Sequence, residues 1–278
     1  MSEGCAARVE RLDCPDGEMT RDAAPTTCSA CPSRVIGLCR DIQPAQLERL
    51  SRLSSRVSVP AGHEVLRQGE TCRDVLVVVA GGLMLSRVTA DGRRYVDGFA
   101  WAGDVVGLAA NEQSSSSAFA LAPTELCRFR RSTVDALAAT QPVLARNLVK
   151  RLREELALAQ DLAALLGGGA AERVAGFLLR QQRSQARLGK KISRRVDLPM
   201  RRLDVAAHLS LSVETVSRIF SELARRKVIM VIPDGVRVLA QDALAEIAGE
   251  ATRRSDWAPD ELPPRPCDAS RAPVLMRS

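Results

Sequence analysis

Cys28, Cys31 and Cys39 fall within the twelve residues "CSACPSRVIGLC". Clustered thiols can staple a fold, bind a metal or exchange electrons, and the compartment decides which is expected. The opening "MSEGCAARVERLDCPDGE" has no basic stretch followed by an apolar one, and nowhere do about 18 uninterrupted apolar residues occur. The chain is therefore expected to be soluble and cytoplasmic, where disulfides are rare. Three thiols so close together there ask for a metal.

A second group with chemical potential lies in "RRLDVAAHLSLSVETVSRIFSELARRKVIMVIPDGVRVL". A short helix is expected to end near Leu209, "SLS" to make a turn, and Ser212 to cap a second helix. On that helix Val216, Phe220 and Leu223 share one face, while Glu214, Ser217 and Arg218 share another. The first face is core and the second is free to read bases. Arg218 has the geometry to bond guanine O6 and N7 together, Glu214 to accept from cytosine N4, and Ser217 to bond a base or a phosphate. Two strands joined by Pro-Asp-Gly then form a wing. Charge points the same way: of a formal +7, residues 167–250 hold fifteen Lys or Arg against nine Asp or Glu, a local +6.

These residues need a scaffold, and 278 residues with 46% hydrophobic side chains supply about two cored domains. Residues 1–24 and 251–278 are polar or rich in Pro and Arg without a period, and are expected to be poorly ordered. Residues 25–130 carry the cysteines and then short apolar runs broken by Gly62, Gly69, Gly81, Gly92, Gly98 and Gly103, the pattern of an antiparallel β-roll. Over 131–166 the spacing turns helical. From Val149, residues Leu152, Leu156, Ala159, Ala163 and Leu166 continue an apolar seam of about two and a half heptads that wants a partner helix. Its alternative is packing on its own β-roll. Gly167, Gly168 and Gly169 stop that helix and make a hinge. Residues 167–250 form the winged helix-turn-helix, so the fold class is α+β.

This order of β-roll, long helix, hinge and winged helix-turn-helix resembles the cyclic-AMP receptor protein superfamily over about residues 25–250. Within it, "CSACPSRVIGLC", the later Cys127 and "LPMRRLDVAAHLSLSVETVSR" look like the oxygen-sensing fumarate and nitrate reduction (FNR) regulators. The resemblance implies that Cys28, Cys31, Cys39 and Cys127 ligate one 4Fe-4S cluster, for which four thiolates are the usual set. Structural zinc suits the same sulfurs, and a simple thiol switch also stays open. The resemblance further implies a homodimer that binds double-stranded DNA, with half-sites like TTGAT read by the helix carrying Val213, Glu214, Ser217 and Arg218, and RNA polymerase as a partner. Val213 stands where the cyclic-AMP receptor type has an arginine. Where an acidic residue can sit in the dimer helix of such regulators, this chain has Ala159.

Other readings are weaker. The stretch "GDVVGLAANEQSSSSAFALA", where nucleotide-binding relatives cradle a phosphate, has Leu108 in place of a glutamate and no arginine, so no cyclic nucleotide is expected. Cys5, Cys14, Cys72 and Cys267 read as spare thiols, with Cys14 the reserve ligand, and the isolated His63 and His208 make haem a minor alternative. Lys190, Lys191, Arg194, Arg195, Arg201 and Arg202 are candidates for phosphate contacts. An iron-sulfur electron-transfer enzyme would need a second cofactor motif or a catalytic constellation, and none is seen, so the chain is not read as an enzyme. A zinc-stabilised DNA-binding protein without sensing differs only in its metal.

Overall fold

The computed structural model describes residues 28–108, 113–186 and 192–249. The expectations for both termini, for Cys5, Cys14 and Cys267, and for Lys190 and Lys191 lie outside them. Two short 3-10 turns, Cys28–Ala30 and Pro32–Val35, lead into helix α1 (Pro44–Arg52). Pro44 opens α1 at its first turn, where no backbone donor is needed, and Leu47 and Leu50 bury its inner face.

Eight strands follow: β1 (Ser54–Val59), β2 (Glu64–Leu66), β3 (Asp74–Ala80), β4 (Gly82–Val88), β5 (Arg94–Trp101), β6 (Val105–Val106), β7 (Ser117–Ala120) and β8 (Thr124–Arg130). They pair antiparallel as two four-stranded sheets, ordered β1-β8-β3-β6 and β2-β7-β4-β5. This is the expected β-roll. The run "VLVVV" in β3 is apolar throughout because its sheet is covered on both faces. Leu76 and Val78 point between the sheets, while Val75, Val77 and Val79 join Leu38, Ile42 and α1 outside. Each such side chain contributes roughly 1.5–3 kcal/mol on full burial. Strand β8 splits its residues in the same way, Leu126 inward and Cys127 with Phe129 outward. That alternation aims Cys127 at the N-terminal turns.

The helical stretch over 131–166 is two helices, α2 (Arg131–Thr140) and α3 (Pro142–Leu166). The break is Gln141, held extended at φ −122°, ψ 97°, because the residue before a proline is disfavoured in the helical region. Val134 and Leu137 of α2 pack on the roll, which leaves α3 as the long exposed rod. Gly167, after α3, is right-handed, so this helix end uses no left-handed glycine. A Cβ on Gly168 would lie 2.7 Å from the Glu172 carboxylate, which accepts from the Gly169 N–H.

The C-terminal domain runs α4 (Ala170–Ala186), β9 (Arg195–Asp197), α5 (Arg202–Leu209), α6 (Val213–Arg225), β10 (Ile229–Ile232), β11 (Gly235–Val238) and α7 (Gln241–Ile247). The wing has a third strand beyond the two expected, in the order β10-β11-β9. The roll meets this domain along β5. Arg94 pairs with Asp204 at 3.0 Å, the Trp101 indole N–H donates to Gln181 at 2.9 Å, and His208 Nδ1 donates to the Val96 carbonyl at 2.9 Å. Phe99, Phe177 and His208 stack edge-on around one another, with centroids 5.3–5.9 Å apart.

Candidate functional site

Cys28, Cys31, Cys39 and Cys127 all line one small cavity, together with Arg34 and Arg56. The two 3-10 turns present the first pair, the loop before α1 presents Cys39, and the central strand β8 presents Cys127. The cross-strand register sets Cys127 opposite Arg56 on β1 and Val77 on β3. All four thiols are free, three half-buried and Cys127 buried. The cavity has about 20 Å³ of free space, enough for a water and small beside a group of several atoms. Among the described residues no three His, Cys, Asp or Glu groups are arranged to hold a single ion.

Burial pushes the Cys39 thiol up to about 12, reinforced by the neighbouring Cys127, Cys28 and Cys31, with Arg34 opposing. Cys127 rises to about 11 by burial, opposed by a hydrogen bond from Ser54 and by Arg56. Both thiols are therefore protonated at neutral pH, and a metal binding there must release protons. Cys31 Sγ lies 3.1 Å from Ser33 Oγ. Arg34, Arg56, Ser33 and Ser54 were not among the residues singled out in the sequence, since nothing in their spacing sets them beside a thiol.

The remaining candidates separate from this site. Cys72 is buried in a turn of the roll, its Sγ 3.3 Å from the Gly107 carbonyl and 3.5 Å from that of Asp74. His63 is exposed. His208 is buried at the junction with β5, where burial lowers it to about 4.

The second site is α6. Helix α5 ends at Leu209, Ser210 turns the chain left-handed at φ +53°, and the Ser212 hydroxyl accepts from the Thr215 N–H at 3.1 Å. Val216, Ile219, Phe220 and Leu223 are buried, whereas Glu214, Ser217 and Arg218 are exposed and Val213 is half-buried. The backbone N–H of Glu214 and the Ser212 hydroxyl hold the Glu214 carboxyl below its ordinary range, so it is an anion at neutral pH. Within the basic run, Arg202 turns inward over the Phe220 ring at 3.5 Å, Arg195 pairs with Asp197 and Arg201 with Asp204, while Arg194 is exposed.

On α3, Val149, Leu152 and Leu156 are 46%, 49% and 59% exposed, and Ala159 and Ala163 are exposed beside them. The roll does not cover this face. Leu166 is half-buried, and the buried residue at this end is Leu165, which fits against Gly176 of α4.

Residues 56–141 match a cyclic nucleotide-binding domain and residues 172–247 a Crp-like helix-turn-helix domain. The transcriptional activatory protein AadR of Rhodopseudomonas palustris is 36% identical over 79% of this chain and 96% of its own. The transcriptional activator protein FnrL of Cereibacter sphaeroides is 30% identical over 86% and 98%. The structure of FixK2 from Bradyrhizobium japonicum superposes with a TM-score of 0.64 at 29% identity, covering 70% of this chain and 96% of that one. None of these names speaks of a metal, and none is the name of an enzyme. With both halves matched and such identity along nearly whole relatives, the chain belongs to the Crp/Fnr family of DNA-binding transcription regulators.

Proposed function

We propose that this regulator works as a homodimer whose affinity for DNA depends on an oxygen-labile 4Fe-4S cluster held by Cys28, Cys31, Cys39 and Cys127. The observation that carries this reading is the single cavity walled by all four thiols, three of them on short surface turns and one on a β-strand. Four thiols fit the cluster in donor chemistry. The same four sulfurs suit structural zinc in donor chemistry, and the family resemblance favours the cluster. Arg34 and Arg56 supply positive charge beside thiolates that would otherwise repel one another. When bound, the cluster supplies a metal-thiolate framework that oxygen degrades.

The exposed seam of α3 is the dimer surface, and two α6 helices then meet successive major grooves about one helical turn apart. TTGAT-like half-sites, RNA polymerase as the partner at promoters and the absence of a cyclic nucleotide complete the reading. The last is supported by the lack of any arginine between Gly103 and Ala122.

Anaerobic purification followed by iron and sulfide analysis tests the cofactor. The expected result is roughly four of each per chain, lost in air. One zinc per chain, stable in air, would favour the zinc-stabilised alternative instead.

A further inference from the structure

The loop carrying Cys39 is tied directly to the dimer-forming helix. From α3, the Asn147 side chain donates both hydrogens of its Nδ2, one to the Leu38 carbonyl at 3.0 Å and one to the Arg40 carbonyl at 2.7 Å. Those carbonyls flank Cys39 on either side. The loop is also anchored by buried Leu38 and Ile42, and it turns sharply at Asp41, a non-glycine residue at φ +57°.

One helical turn further along α3, Arg151 pairs with Asp104. Asp104 follows Gly103, whose φ of +90° and missing side chain admit Ile36 of the thiol segment; a Cβ there would lie 2.5 Å from Ile36 Cδ1. By i, i+4 spacing Asn147 and Arg151 share one face of α3, and Val149, Leu152 and Leu156 occupy another. A single rigid helix therefore carries the loop contact on one side and the exposed apolar seam on the other.

We infer that Asn147 is the positioning residue that clamps the Cys39 loop to α3, so that filling the thiol cavity is felt by the dimer seam of the same helix. The cavity has about 20 Å³ of space, small beside a group of several atoms, so seating such a group between the four thiols shifts the thiol segment. With the clamp made, that displacement reaches α3; with it broken, the loop moves alone. What fills the cavity rests on the proposed cluster, whereas the clamp itself does not.

The test uses the full chain with Asn147→Ala and with Asn147→Asp, which keeps the shape and removes the donor. In metal-free protein, N-ethylmaleimide labelling of Cys39, mapped by mass spectrometry, should rise about tenfold in both variants, the effect of losing hydrogen bonds that hold a loop closed. Labelling of buried Cys72 should stay at the wild-type rate, which shows that the roll is intact. After anaerobic loading with iron and sulfide, the wild-type dimer dissociation constant should shift more than that of either variant. Equal Cys39 labelling in all three proteins, wild-type behaviour of Asn147→Asp, or an equal shift on loading overturns the inference. If the wild type takes up no iron, the cluster reading fails by itself, and the labelling result alone upholds or overturns the clamp.

Discussion

The recognition helix and the thiol cavity are finished to different degrees. Helix α6 is complete in the single chain: its cap is made, its core face is buried, and its reading face is exposed. The cavity has gathered four thiols, yet burial and mutual repulsion keep at least Cys39 and Cys127 protonated, and there is little room between them. The difference teaches where regulation enters. A part that is already built has nothing left to be switched, whereas a part that needs a ligand to finish it couples that ligand to the rest of the chain. Between them lie α3, exposed along Val149, Leu152 and Leu156, and the β5 junction, closed by Arg94, Trp101 and His208.

The largest expected effect breaks the cavity and spares the helix. Cys127→Ser should abolish iron and sulfide uptake, since a missing thiolate opens one iron to solvent, while binding to random duplex stays near wild type. Cys72→Ser should load normally. A full complement of iron and sulfide in Cys127→Ser would remove Cys127 from the ligand set.

The junction comes next. His208 is lowered from 6.5 to about 4 by burial, so the folded protein binds fewer protons there than the unfolded chain between those values. Its contribution is fully present above about pH 6.5 and is lost as pH falls toward 4, on the order of 3 kcal/mol at most. Urea titrations of wild type and His208→Gln across this window check it. The variant should be weaker at pH 7 and show a shallower acid loss; parallel curves would mean that His208 titrates normally.

Arg218→Ala acts on the finished helix. It should cost roughly 1–3 kcal/mol on a duplex bearing the guanine half-site and little on random duplex, read by titrations at fixed salt. Equal losses on both duplexes would assign Arg218 to phosphate contact. The smallest effect is at the seam, where Ala159→Asp sets two carboxylates near the dimer axis. It should weaken the metal-free dimer by about 1 kcal/mol and make DNA binding depend more sharply on loading. Sedimentation across concentration reads this, and unchanged dissociation would place residue 159 away from the axis.

Much of α6 was legible because its signals are local. The Ser212 cap, the turn at Ser210 and the spacing of Val216, Phe220 and Leu223 all lie within a few residues of what they determine. The β-roll was legible from strand-length apolar runs and glycines. Helices α1, α4 and α7 and strand β9 were not anticipated, although Pro44 at a helix start with Leu47 and Leu50 three apart was an available signal for α1. The thiol site was half legible. Cys28, Cys31 and Cys39 announce themselves by spacing, whereas Cys127 came only from the family resemblance, because its place beside them depends on β1-β8-β3 register. Arg56 reaches the cavity by that register and Asn147 reaches the Cys39 loop by the docking of α3, and no local pattern encodes either contact.

The most direct test of cluster-dependent DNA binding is an anaerobic titration of the purified protein against a palindromic TTGAT duplex, repeated on the same sample after exposure to air, with iron and sulfide counted before and after. Affinity for that duplex should fall together with the iron and sulfide content, and binding to a random duplex should change far less. Unchanged specific affinity after the metal is lost, or strong specific binding by protein that never carried iron, would contradict it.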